Sequence, residues 1–371
     1  MFARATRFLA PLVNLLFVAC IGALLLVPAL GLVRNAMRAP AAFGDLWPAG
    51  ASVTSFPAAV DQFVAAQHGL RDRMVRTNAR LKALFGGESP RVAFGTEGFL
   101  FLKDGDVFSQ ATGQRLDRLG LGKLADLAHS LAEEAERGGG RFLFVVAPNK
   151  HTIYRSHLPV WARPEPAITE RALLMEMLRE RGIVAVDPTV ELEAQSERTP
   201  VYWRGDTHWT QAGMIVGFDA MVAALGRPEQ SIGMENVFQG QVAVEKAGDL
   251  VRIAGLSEKW PDVAPVLVGD NPFAAGGLKR EQAADHEISG SYQVFHERAP
   301  APAGPRVMVI GDSFTVGGFD RLFMRFAGAY LWTHHRHGKF DRGLIGQFKP
   351  DIVILETVER DLPAFQSAPN E

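Results

Sequence analysis

Three residues of this chain could together activate a hydroxyl: Ser313 in Ile310-Gly-Asp-Ser313-Phe314, and Asp206 and His208 in Trp203-Arg-Gly-Asp206-Thr-His208-Trp209. A serine hydroxyl is a weak nucleophile at neutral pH. It needs a neighbouring base, most often a histidine whose far ring nitrogen is held by a carboxylate. Asp206 and His208 are two apart, which in an extended segment puts both side chains on one side. Read alone, each piece also has a plain structural meaning. Gly-Asp-Ser can be a turn with a helix N-cap, and Asp-x-His a turn whose side chains satisfy local backbone groups. The pattern is not the α/β-hydrolase elbow, since Thr315 stands where Gly-x-Ser-x-Gly requires a glycine and the histidine precedes the serine.

The elements around these residues are those of an α/β protein. Arg306-Val-Met-Val-Ile310 reads as a buried strand that delivers Ser313 to an abrupt turn, and Arg141 to Ala147 and Asp351 to Leu355 are similar apolar runs. Between them lie helical stripes: Leu121 to Ala135 closed by Gly138-Gly-Gly140, Thr169 to Arg181, and a helix that Thr210 can cap. Ile183 to Asp187 reads as another strand and Val92 to Leu102 as a hairpin. Continuous apolar strands alternating with helices imply a mostly parallel sheet covered on both faces. Ligands in such sheets sit beyond the carboxyl ends of the strands, where Ser313 falls.

Bulk properties name no partner: 22% of residues are charged and the formal net charge is −2. The single cysteine, Cys20, lies in an apolar segment, so the body of the protein has no disulfide framework or zinc cluster of thiolates. The run from Phe8 to Val33 carries no charge and exceeds the roughly 20 residues a membrane span needs. We read residues 1–34 as a retained membrane anchor, 35–58 as a Pro- and Ala-rich linker, and Asp61 to Phe85 as one or two amphipathic helices broken near Gly69. Residues 59–371 form the catalytic domain, with a Gly- and Pro-rich insertion at about 231–304.

Asp206-Thr-His208-Trp209 followed by Gly311-Asp-Ser313-Phe314 resembles the SGNH-hydrolase-like domain of the alginate O-acetyltransferases, the AlgJ and AlgX group, whose motif order is permuted relative to ordinary SGNH esterases. Gly69-Leu-Arg-Asp72, Gly95-Thr-Glu-Gly98, Pro148-Asn149-Lys150 and Gly248-Asp-Leu250 agree with it. Phe99 departs from it where the family often has tryptophan. The resemblance implies an SGNH-like three-layer sandwich, with Ser313, His208 and Asp206 as the triad and acetyl-serine as the intermediate. It implies O-acetylation of an exported, alginate-like exopolysaccharide at the periplasmic face of the inner membrane, with acetyl supplied by a membrane-embedded acyltransferase. A periplasmic carbohydrate acetyl esterase with the same triad is the alternative.

Asn149, Lys150, Trp203, Arg204 and Trp209 are the candidate acceptor-binding residues, aromatic faces and an arginine fork being suited to acidic sugars. His334-His335-Arg-His337 reads as a solvated loop rather than a metal site. We expect no cofactor and no metal, and no nucleic acid partner.

Overall fold

Residues 89–365, apart from 165, 257–258, 270, 274–292 and 298–303, are described by a computed structural model. The expected anchor, linker and amphipathic segment lie outside these residues. Among those described, no helix is long and apolar enough to cross a membrane.

The expected hairpin comes first, as β1 (Val92–Phe94) and β2 (Leu100–Leu102). Its turn needs Gly98 at φ +79, a conformation that an L side chain rarely adopts. After α1 (Val107–Ala111), the long helix α2 (Arg118–Arg137) buries Leu121, Leu124, Leu127, Ala128, Leu131 and Ala135, the stripe read from the sequence. It stops at Gly138-Gly-Gly140, and β3 (Arg141–Ala147) follows with every residue after Arg141 buried. Then come α3 (Lys150–Ile153) and α4 (Glu170–Glu180), the latter capped by Thr169, whose side chain accepts from the amide of Ala172. The strand expected at Ile183 to Asp187 is only Ala185–Val186, here β4.

Two helices, α5 (Thr189–Ser196) and α6 (Gln211–Ala224), lead to α7 (Met234–Val237). Thr210 caps α6 as expected, accepting from the amide of Gly213. A two-stranded antiparallel ribbon follows, β5 (Phe238–Lys246) and β6 (Trp260–Leu267), with α8 (Asp249–Ile253) between its strands. The remaining elements are β7 (Gln293–Glu297), β8 (Arg306–Gly311), α9 (Phe319–Phe323), β9 (Ala329–His334), α10 (Gly343–Phe348) and β10 (Ile352–Val358).

The main sheet has the order β4-β3-β10-β8-β9-β7, parallel except for β7, which runs antiparallel to β9 at the edge. The segment 231–304 is therefore not wholly an insertion. Its middle is the β5–β6 ribbon, and its end joins the main sheet as β7. One sheet face packs Leu143, Val145, Val307, Val309 and Ile354 against Ile215, Phe218 and Met221 of α6 and Leu322 of α9. The other packs Phe144, Val146, Met308, Ile310 and Leu355 against α2, α4 and α10. Two buried faces favour strands with continuous apolar runs, which residues 142–147 of β3, 307–310 of β8 and 352–355 of β10 supply.

Candidate active site

The strand β8 is buried along Val307 to Ile310 and ends abruptly at Gly311. The abruptness comes from Asp312, whose buried carboxylate accepts from the amide of Phe314 at 2.8 Å and from the amide of Val358 at 2.8 Å. One side chain thus makes the turn and ties the end of β8 to the end of β10. Beneath it, Glu356 accepts from the amide of Asp312 at 3.1 Å and from the hydroxyl of Thr315 at 2.9 Å, and Trp332 Nε1 donates to that hydroxyl at 3.1 Å. Phe314 is buried, so the chain is pinned on both sides of Ser313 while Ser313 itself stays exposed. The amides of Asp312 and Phe314 are spent on carboxylates. Among the described residues the amide of Ser313 has no acceptor.

Two carboxyls this close cannot both ionise easily. Burial first, and the charge of Asp312 second, push Glu356 well above the usual carboxyl range. For Asp312 burial also pushes upward, but His335, 3.7 Å away, with Arg360 and the amide of Phe314, holds it below the usual range.

The base half of the site is a tight turn rather than the extended segment expected. Tyr202 and Trp209 pair as an isolated antiparallel bridge, and the amide of Trp203 donates to the carbonyl of His208 at 3.3 Å. Within the turn, Asp206 Oδ1 accepts from the backbone amide of His208 at 3.1 Å and lies 2.7 Å from its Nδ1. The carboxylate curls back on the chain, which is why a two-residue spacing works here without a strand. The other ring nitrogen, Nε2, lies 2.8 Å from Ser313 Oγ. With Nδ1–H donated to Asp206, Nε2 is left to accept the serine proton. Burial raises the Asp206 pKa, but the hydrogen bond and charge of His208, with Lys246 at 3.9 Å, outweigh it and keep the carboxylate ionised far below the usual range.

That relay lies inside a recognisable segment of the chain: residues 92–342 match the family described as SGNH hydrolase-like domain, acetyltransferase AlgX. The chain belongs to this family. It is 23% identical over 295 residues to a probable alginate O-acetylase AlgJ of Pseudomonas aeruginosa, covering 74% of this chain and 67% of that one. It is 26% identical over 313 residues to a probable alginate O-acetylase AlgJ of Pseudomonas syringae pv. tomato, covering 74% and 78%. The structure of Bacillus cereus PatB1 superposes with a TM-score of 0.53 at 12% identity, over 73% of this chain and 96% of that one, a likeness of fold.

In this AlgX-family acetyltransferase the residues expected to meet the acceptor divide into two groups. Asn149, Lys150 and Trp209 are buried parts of the frame. Asn149 donates from its side chain to Gln110, and its amide donates to Glu359 at 2.8 Å. Lys150 spends its ammonium on backbone carbonyls, and Trp209 packs edge-on against Tyr202 and Phe314. Trp203 and Arg204 remain partly exposed, with Lys246 Nζ 3.8 Å from the centre of the Trp203 ring and the Arg204 guanidinium over Phe99.

Sequence reading missed the groups supplied by the ribbon. Asp249 accepts from the amide of Thr207 at 2.8 Å and from its hydroxyl, while the amide of Asp249 donates to Asp206 Oδ2 at 3.3 Å. Asp262 accepts from the amide of Arg204 at 2.9 Å. The one available signal was Gly248-Asp-Leu250. A side chain at Gly248 would collide with the backbone of Gly205, so only glycine lets α8 approach the turn this closely. Asp206, His208 and Asp249 offer three ligand atoms within 4.8 Å of one another, and hydrogen bonds inside the cluster already occupy them. The histidine cluster is less solvated than expected: His335 is fully buried beside Asp312.

Proposed function

We propose that the chain transfers acetyl groups to hydroxyls of an exported, alginate-like exopolysaccharide by double displacement at Ser313. The observation that carries this reading is the continuous relay from Ser313 Oγ to His208 Nε2 at 2.8 Å and from His208 Nδ1 to Asp206 Oδ1 at 2.7 Å, in a chain of an acetyltransferase family.

Ser313 Oγ attacks the acetyl carbonyl of the donor while His208 Nε2 takes its proton. Asp206 keeps Nδ1–H in place and stabilises the imidazolium. The amide of Ser313 donates to the oxyanion, an interaction worth 10²–10³ in turnover where it has been removed elsewhere. Collapse releases the donor's leaving group with the proton from His208 and leaves acetyl-Ser313. An acceptor hydroxyl then gives its proton to Nε2 and attacks the acetyl carbonyl; serine leaves and regains the proton. Trp203 and Arg204, at the exposed side of the turn, are our candidates for acceptor contact.

The uncharged run from Phe8 to Val33 supports an inner-membrane anchor with the catalytic domain in the periplasm, next to a membrane-embedded acyltransferase as acetyl donor. The test uses the full-length chain with an activated acetyl ester, with and without an oligouronate acceptor. Mass gain on the sugar that disappears in Ser313→Ala, by at least about 10⁴-fold, is the expected result. Transfer that survives Ser313→Ala overturns the reading, and acetate release indifferent to the acceptor replaces it with an esterase.

A further inference from the structure

Lys150 is 4% exposed, yet none of its donors is idle. Its Nζ donates to the carbonyls of Trp203 at 3.1 Å, Arg204 at 3.0 Å and Asp206 at 2.8 Å. An ammonium has three N–H donors, and here all three close on one turn, the turn that carries Asp206 and His208. The other end of Lys150 is equally fixed. It opens α3 directly after β3, where Glu359 accepts from the amide of Asn149 at 2.8 Å and the hydroxyl of Thr152 at 2.7 Å. Glu359 in turn follows β10, the strand whose Val358 amide is held by Asp312 beside the nucleophile. A continuous path of strong contacts therefore runs from the serine turn, through the ends of β10 and β3, to the histidine turn.

We infer that Lys150 is a positioning residue that sets the 2.8 Å separation of His208 and Ser313 by holding the Asp206–His208 turn onto the carboxyl edge of the sheet. The inference rests on the reading of Ser313, His208 and Asp206 as the triad. It also reassigns Lys150, because a buried ammonium with every donor engaged has nothing to offer a sugar.

The surroundings make the tether sensitive to pH. Burial lowers the Lys150 pKa to about 7, against the charges of Asp249, Asp206 and Asp262. Phe101 faces Nζ from β2 at 5.5 Å, His151 adjoins it on α3, and Arg204 lies on the turn itself. Loss of the proton leaves two donors for three carbonyls and aims a lone pair at the third. Activity should therefore fall on the alkaline side of the pH profile.

The test is made on the full-length chain, with 4-nitrophenyl acetate turnover and fluorophosphonate labelling of Ser313 measured across pH. Lys150→Met should lower kcat and the labelling rate by about 10²-fold with little change in KM, and the alkaline limb should vanish. Asp262→Asn keeps an oxygen acceptor but removes a charge that favours the ammonium, so it should move the limb to lower pH; this arm stands if Lys150→Met does not fold. An unchanged kcat, a change confined to KM, or a limb that persists in Lys150→Met or stays unmoved in Asp262→Asn overturns the inference. A wild-type protein that takes no label on Ser313 overturns the triad reading instead.

Discussion

His208 Nε2 stands 2.8 Å from Ser313 Oγ although 105 residues separate them in the chain. The two arrive by different means. Ser313 is carried by a buried parallel strand and pinned by Asp312 and Glu356, whereas His208 rides on a turn outside the sheet. The chemistry depends on both supports, and each can be perturbed separately.

Asp206→Asn tests the orientation of the base. An amide can accept from Nδ1 only in one orientation, and it stabilises imidazolium poorly. Turnover of an acetyl ester should fall by about 10⁴-fold while KM changes far less. The same variant has a pH signature. Asp206 and Asp312 both titrate below their ordinary value in the fold, so their stabilisation is present above about pH 4 and is lost as pH falls below it. Melting curves of the wild type should drop below that pH, and the drop should be shallower in Asp206→Asn.

Glu356→Gln carries the opposite sign. Its pKa is raised in the fold, so its contribution is complete below about pH 4 and is lost as pH rises toward the folded value. Glutamine can still accept from the amide of Asp312 and the hydroxyl of Thr315 and has no such loss. The variant should melt higher than wild type at pH 8, with the difference closing toward pH 4. A constant difference across that range would show that Glu356 does not titrate as described.

Gly311→Ala tests how closely the strand end is packed. A Cβ there runs into Thr315 Oγ1 and lies 3.0 Å from Glu356 Oε2 and 3.1 Å from Trp332 Nε1. Overpacking of this kind costs about 1–3 kcal/mol, to be read by denaturant titration, and it should misplace Ser313 enough to reduce turnover as well.

Much of this was legible in the sequence because it follows local rules. Four apolar residues before Gly311-Asp-Ser313 did mean a buried strand with a serine at its end, and Thr169 and Thr210 do cap their helices. The pairing of Asp206 with His208 was reached by an extended-chain argument, but the structure achieves it through a carboxylate folded back onto its own turn. The rest had no local signature. Lys150 lies 56 residues from the Asp206 carbonyl it holds, and Asp262 lies 58 from the Arg204 amide. No spacing rule links such pairs. The edge strand β7 was masked by a glycine-rich neighbourhood, and only its pairing with β9 separates it from the insertion.

The turn from Trp203 to His208 has one further property. Its carbonyls at 203, 204 and 206 converge on one cation, while its amides at 204, 205 and 207 are taken by the carboxylates of Asp262 and Asp249. Charged side chains do for this segment what neighbouring strands do for a sheet. Opening it means breaking several charge-assisted bonds at once, so its amide hydrogens belong with the slowly exchanging strand protons rather than with those of surface loops.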